Sequence, residues 1–267
     1  MAANLRLQAI EGDGWRRGLA PMLRREGRKW WRGRYGLVQL ILWPVLLNGM
    51  LAFALFLLPR MATADGVAIS AAEVLDTGRQ MFFGLGMVAL SIGVIVLLQD
   101  AIIEEKLSGT AEWILSKPLS RTAYWLAKLL PNLAGMAITL ILTPGVIGYF
   151  LFARAAPGAI PAAQFWASWG MVALNLCFYA TLTLMLGVLL RSRTLLLGVA
   201  IGVLFGGQVI PVGQLGLYTP WPLFQMVLLP AMGQAVPPEL LTVLVSTAVW
   251  SGIFSAVAIW RMNRLAF

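Results

Sequence analysis

The chain has 267 residues, of which 60% are hydrophobic and only 12% charged, with a mean hydropathy of +0.81. A soluble domain is about 45–50% apolar and about 25% charged, so a soluble enzyme is excluded and the residues are spent on crossing a bilayer. The net charge of +9 comes without any His, which removes His metal sites, general bases and proton relays, and the lone Cys177 forbids an intrachain disulfide.

Residues 1–36 form a basic arm with nine Lys/Arg, from Arg6 to Arg34. Between its arginines, Leu19, Met22, Leu23 and Trp30 recur at helical spacing. That pattern predicts an amphipathic helix lying on the membrane surface, anchored by Trp30, Trp31, Arg32 and Arg34. A merely solvated, topology-setting tail is the plainer alternative. Anionic lipid headgroups are the nearer partner for this arm than nucleic acid, because a span follows at once.

A bilayer core about 30 Å thick takes about 20 helical residues to cross. Uncharged apolar stretches of that order occupy 37–58, 81–99, 129–152, 166–190, 194–213 and 240–260. The expectation is therefore an all-α membrane protein, with 37–267 as one domain of six transmembrane helices. Basic residues alternate correctly across those six. Seventeen of the 20 Lys/Arg fall in the arm, the 100–128 loop, the turn at 191–193 and the tail, against Arg60, Arg79 and Arg154 on the other side. The positive-inside rule then puts both termini in the cytoplasm. The first outer connection, 59–80, reads as an ordinary solvated loop.

The 100–128 loop is the most informative stretch. Asp100, Glu104, Glu105 and Glu112 balance its four bases, so orientation alone does not account for it. Residues 100–107 should continue the second span as helix until Ser108-Gly109 breaks it. Thr110 is placed to cap a short new helix with Glu112 in its first turn. Pro118 stops that helix, and Ser120 can cap the one that enters the third span.

The run Glu105-x-x-x-Gly109-Thr110-x-Glu112-x-x-Leu115-x-x-Pro118-x-Ser120-Arg121, with Lys128 soon after, resembles the signature that follows the second span of type-2 ABC-transporter permeases. The resemblance implies that the loop is a coupling helix which docks on a separate nucleotide-binding ATPase subunit. Glu104, Glu105, Gly109, Thr110, Glu112, Leu115, Pro118, Ser120 and Arg121 would be the coupling residues. It also implies a second permease copy, the same or different, in the cell (inner) membrane, and an exporter-type assembly in which ATP and Mg belong to the partner. An amphipathic loop that only joins two long helices is the plain alternative.

The chain itself offers no ATPase site. A P-loop needs Gly directly before its Lys, and none of Lys29, Lys106, Lys117 and Lys128 follows Gly. No cofactor or metal is expected on it, and no catalytic residue.

In the fifth span, Gly198, Gly202 and Gly206 stand four apart, a spacing that lets helix backbones approach closely in lipid. A contact between permeases and ordinary packing within the chain are both open uses. Between the fifth and sixth spans, six prolines punctuate an apolar segment with no charge before Glu239. Re-entrant or interfacial outer helices fit it, with a lid packed on the bundle as the alternative.

The span interiors hold neutral polar residues, among them Asn48, Asn132, Asn175 and Gln208, and no ionisable ones. That disfavours an ion-coupled secondary transporter and intramembrane proteolysis. It leaves a non-transporting membrane anchor or regulatory subunit as the second reading.

Overall fold

The computed structural model describes residues 14–209 and 213–264, apart from the side chains at 115, 208–209 and 213–214. Every regular element among the described residues is helical. In chain order, the first half comprises α1 (Leu19–Trp31), α2 (Arg34–Ala64), α3 (Ala71–Leu107), α4 (Thr110–Leu115) and α5 (Arg121–Ala155). The second half comprises α6 (Ala162–Leu189), α7 (Arg193–Val209), α8 (Leu223–Met226), α9 (Leu228–Ala231) and α10 (Glu239–Arg264).

Five of these, α2, α3, α5, α6 and α10, are long and apolar enough to cross a bilayer. The stretch 194–213 is met by α7, whose 17 residues rise about 25 Å at 1.5 Å each, less than the core thickness. Residues 210–212, which include Pro211 and most of that stretch's end, lie outside the described residues.

The connection 59–80 is mostly exposed, as expected, but it is helical up to Ala64 and again from Ala71 and not a plain loop. Ser70 explains where α3 begins. Its hydroxyl accepts the Glu73 amide at 3.2 Å while the Glu73 carboxylate accepts the Ser70 amide at 2.8 Å, so two orphan donors are satisfied reciprocally.

Helix α6 is the axis of the bundle and packs against α3, α7 and α10. The helices around it turn rows of apolar side chains outward, as Leu37, Ile41 and Val45 on α2 and Leu241, Val245 and Val249 on α10. Such rows suit lipid contact, since an apolar solvent leaves no reason to bury them.

Three of the long helices widen by one π-helical segment each, at Phe53–Leu57, Gln80–Leu85 and Ala137–Leu142. In α5 the widening precedes Pro144, which lacks an amide hydrogen. The Ile141 carbonyl there accepts the Trp169 indole at 2.8 Å, and the ring occupies the space that a side chain at Gly145 would need. Phe82 stacks on Trp169 with centroids 4.7 Å apart, and Phe83, Phe152 and Phe165 complete the aromatic cluster.

The proline-broken segment packs on the bundle. The Trp221 indole donates to the Val203 carbonyl at 3.0 Å with its ring over Gly207, and the Ala231 amide donates to the Ser168 hydroxyl at 3.1 Å.

Candidate functional site

The site is built where α1, the ends of α3 and α5, and α4 meet. Gly18, at φ 78°, turns the chain into α1. Met22, Glu26 and Trp30 then recur four apart and are all buried, which aims one face of α1 at α5. The amphipathic helix is therefore real, but its apolar face is spent on protein. Trp30, read from the sequence as an anchor in the membrane surface, is 2% exposed. Its indole donates to Asn132 at 2.8 Å and its ring lies over Gly135, so packing is its use, while Trp31, Arg32 and Arg34 remain exposed.

Glu26 interrupts that apolar face and meets Lys128 of α5 at 3.0 Å. Lys128 is fully enclosed and also lies 2.8 Å from Glu105 of α3. Tyr124 donates its hydroxyl to Glu105 at 2.7 Å, Arg25 approaches the same carboxylate at 3.4 Å, and Lys29 pairs with Glu26 at 3.0 Å. Two acids and three bases thus tie three helices together. Glu105 and Lys128 lie beyond the uncharged stretches of their helices. Burial by itself raises the Glu105 carboxyl, but Lys128 and the Tyr124 hydroxyl bring it below its usual value. Burial, then Glu105, pushes the Tyr124 hydroxyl well up, so it stays a donor.

The loop beyond this cluster is short and braced. Gly109, at φ 72°, precedes α4 as its N-cap, so Thr110 is the first helical residue and not the cap. Its hydroxyl shares a hydrogen bond of 2.9 Å with Ser108. Glu112 sits in the first turn as expected. Ala111 and Ile114 face inward, whereas Trp113 is 61% exposed under the Lys117 ammonium, 3.5 Å from the ring centroid.

Ser120 caps α5, its hydroxyl accepting the Ala123 amide at 2.9 Å. The same hydroxyl donates to the Trp15 carbonyl and the Ser120 amide donates to Arg17 at 3.0 Å, which fastens the segment before α1 to the loop. Arg121 donates to the Met262 carbonyl near the end of α10, where a cation suits the helix dipole. A cavity of about 350 Å³ opens between α1 and α4, lined by Met22, Arg25, Trp113, Ile114, Pro118 and Leu119 among others.

Of the sequence-derived loop residues, Glu104, Gly109, Glu112 and Pro118 are exposed, Glu105 points into the ion cluster, and the Leu115 side chain lies outside the described residues. Gly198, Gly202 and Gly206 are elsewhere. A side chain at any of the three would meet nothing within 4 Å, so that face of α7 is not packed by any of the described residues.

Sequence reasoning missed Glu26 and the inward aim of Lys128. The spacing held a signal for both. Glu26 lies midway between Met22 and Trp30, and Tyr124, Lys128 and Asn132 share one stripe of α5. No group of acids and Cys among the described residues is arranged to hold a metal ion.

The chain matches the ABC-2 family transporter protein family over residues 21–230, a span that begins in α1, takes in the loop and α2 to α8, and ends in α9. It belongs to that family. The chain is thus a membrane permease of ABC-2 type, and the described ion cluster and loop fall inside the matched region. No curated protein matches the chain.

Proposed function

We propose that this ABC-2 permease is the transmembrane subunit of an exporter driven by a separate ATP-hydrolysing subunit. Two permeases, identical or different, would pair with the ATPases in the cell (inner) membrane. With α7 counted as the sixth crossing, both basic ends of the chain lie in the cytoplasm. The observation that carries the reading is the braced loop. Its inner side is locked by Glu105, Ile114 and Ser120, while Glu104, Glu112 and Trp113 are left outward for a partner.

A loop so anchored passes a push to α3, α5 and α1 together instead of yielding to it. ATP and Mg would be held by the partner. Uncharged span interiors suit lipidic or weakly polar cargo, and α8 and α9 would close the exit on the outer side. Gly198, Gly202 and Gly206 offer the second permease a face for close approach.

The test is purification in mild detergent followed by ATPase assay. An ABC-type ATPase should co-purify, and Glu112→Lys should change its hydrolysis rate. Finding no ATPase overturns the reading. An ATPase indifferent to the loop would favour the anchor role.

A further inference from the structure

The second cytoplasmic turn, between α6 and α7, is fastened to the end of α3 by contacts that the ion cluster does not use. Helix α6 ends at Leu189, and Leu190 turns extended, which leaves the last carbonyls of the helix without intrahelical partners. Neither Gly nor Asn follows to close them in the usual way. Lys106 of α3 supplies the closure from another helix. Its ammonium donates to the carbonyls of Gly187 at 3.1 Å, Val188 at 2.8 Å and Leu190 at 2.7 Å.

Three hydrogens on one nitrogen match three converging carbonyls, which the planar fork of an arginine does not reproduce. One helical turn back, Ile102 packs on Gly187, where an added side chain would lie 3.3 Å from it. A further turn back, Gln99 accepts from Arg193 at 3.0 Å and Asp100 pairs with the same guanidinium at 3.2 Å. Gln99, Ile102 and Lys106 lie on one face of α3, so the α6–α7 turn is gripped at three heights.

We propose that Lys106 is the positioning residue that makes the cytoplasmic ends of α6 and α7 follow the loop. The transmission half of this inference rests on the reading that a partner displaces the loop. The fastening half does not. Burial and the nearby Arg191 and Arg261 lower the pKa of Lys106, so the ammonium is held there by the carbonyls against its surroundings. Glu105 and Lys106 are neighbours that point to different helices, one to α5 and one to α6. A displacement of their shared backbone therefore reaches both at once through direct contacts.

The experiment places spin labels at Leu107→Cys and Thr194→Cys, both exposed, in the full chain carrying Cys177→Ser. With Lys106 intact, the pair should give one narrow distance in the permease alone. In complex with the ATPase, that distance should stay the same after trapping with ATP and vanadate. Lys106→Met should broaden the distribution in the permease alone and let the distance change on trapping, while ATP is still hydrolysed. Lys106→Arg, which keeps the charge, should fall between.

A Lys106→Met distribution as narrow as the parent's overturns the fastening. A parent distance that changes on trapping overturns the transmission. If a reference pair across the bundle shows no response to nucleotide, the ATPase reading fails instead, and the width in the permease alone still decides the fastening. A purely stabilising cap would lower the melting temperature without altering the response to trapping.

Discussion

Lys128 and Glu105 meet at 2.8 Å in a place where the lysine side chain has no exposure to solvent. An ammonium enclosed in this way is tolerated only because two carboxylates surround it, Glu105 and Glu26. The network sets the geometry of the loop, since it joins α1, α3 and α5 just before the chain turns toward α4.

Removing the lysine alone should therefore cost more than removing the whole network. Lys128→Met leaves two buried carboxylates facing each other, and breaking such a buried pair costs about 3–5 kcal/mol. A fall of about 10 °C in melting temperature is expected at this chain length. The triple variant Lys128→Met, Glu26→Gln, Glu105→Gln should melt above the single one, because no buried charge is left and the unpaired Arg25 and Lys29 reach solvent. Thermal unfolding in detergent measures both, and a triple variant less stable than the single would show that the charges are not what binds these helices.

Gly135 is a second point where one atom decides the packing of α1. A methyl group there would lie 2.2 Å from the Trp30 ring, so Gly135→Ala must expel the indole and break its bond to Asn132. Overpacking of this kind costs about 1–3 kcal/mol, and the cost falls on the seating of α1. Trypsin should then cleave at Arg24, Arg25 or Arg28 about tenfold faster than in the parent. Unchanged cleavage would mean that α1 is held without Trp30.

The exposed side of the loop should behave in the opposite way. Trp113 is 61% exposed and covered on one face by Lys117, and Glu112 beside it is exposed. Trp113→Ala and Glu112→Lys should leave the melting temperature within about 1 °C, as surface changes do. Each should reduce the amount of ATPase recovered with the permease. Recovery equal to the parent's would move the docking surface elsewhere, and a large loss of stability would make these residues structural.

Much of this architecture can be read along the chain. The uncharged stretches locate the long helices, and Ser108-Gly109, Pro118 and Ser120 punctuate the loop where the structure does. Reading fails where the deciding contact joins distant positions. Trp30 looks like a lipid anchor until Asn132, 102 residues away, takes its hydrogen bond. Glu105 looks like a partner contact until Lys128 encloses it. Of the stretch 194–213, α7 accounts for the residues up to Val209, and 210–212 lie outside the described residues. The connection 59–80 was legible in part, because Ser70 and Glu73 stand at the spacing of a capping box.

The open glycine face of α7 leads to a prediction about association. Gly198 and Gly202 are exposed, while Leu196, Ala200 and Leu204 on the opposite side are buried in the bundle. Gly202→Leu adds bulk where a methyl group would meet no atom of the described residues within 4 Å, so the fold should be unaffected. If a second permease uses that face, the variant should run as the smaller species in detergent at the same melting temperature. A variant that keeps the parent's oligomeric state would show that the glycines serve another purpose.

Acid should act on the loop through Glu105. Its carboxyl titrates below the usual value in the folded protein, because Lys128 and Tyr124 favour its charged form more than burial opposes it. A group depressed in this way contributes stability above its unfolded pKa, about 4.3 for Glu. That contribution is lost as pH falls through the folded value. The melting temperature should therefore be flat in this respect from pH 7 to about pH 5 and decline below about pH 4. Glu105→Gln has no proton to take up there, so its decline should be shallower even though its stability at pH 7 is lower. The slope is the readout, since lost packing shifts the whole curve without changing its dependence on pH. Equal slopes in the parent and Glu105→Gln would show that Glu105 is not the acid-sensitive group.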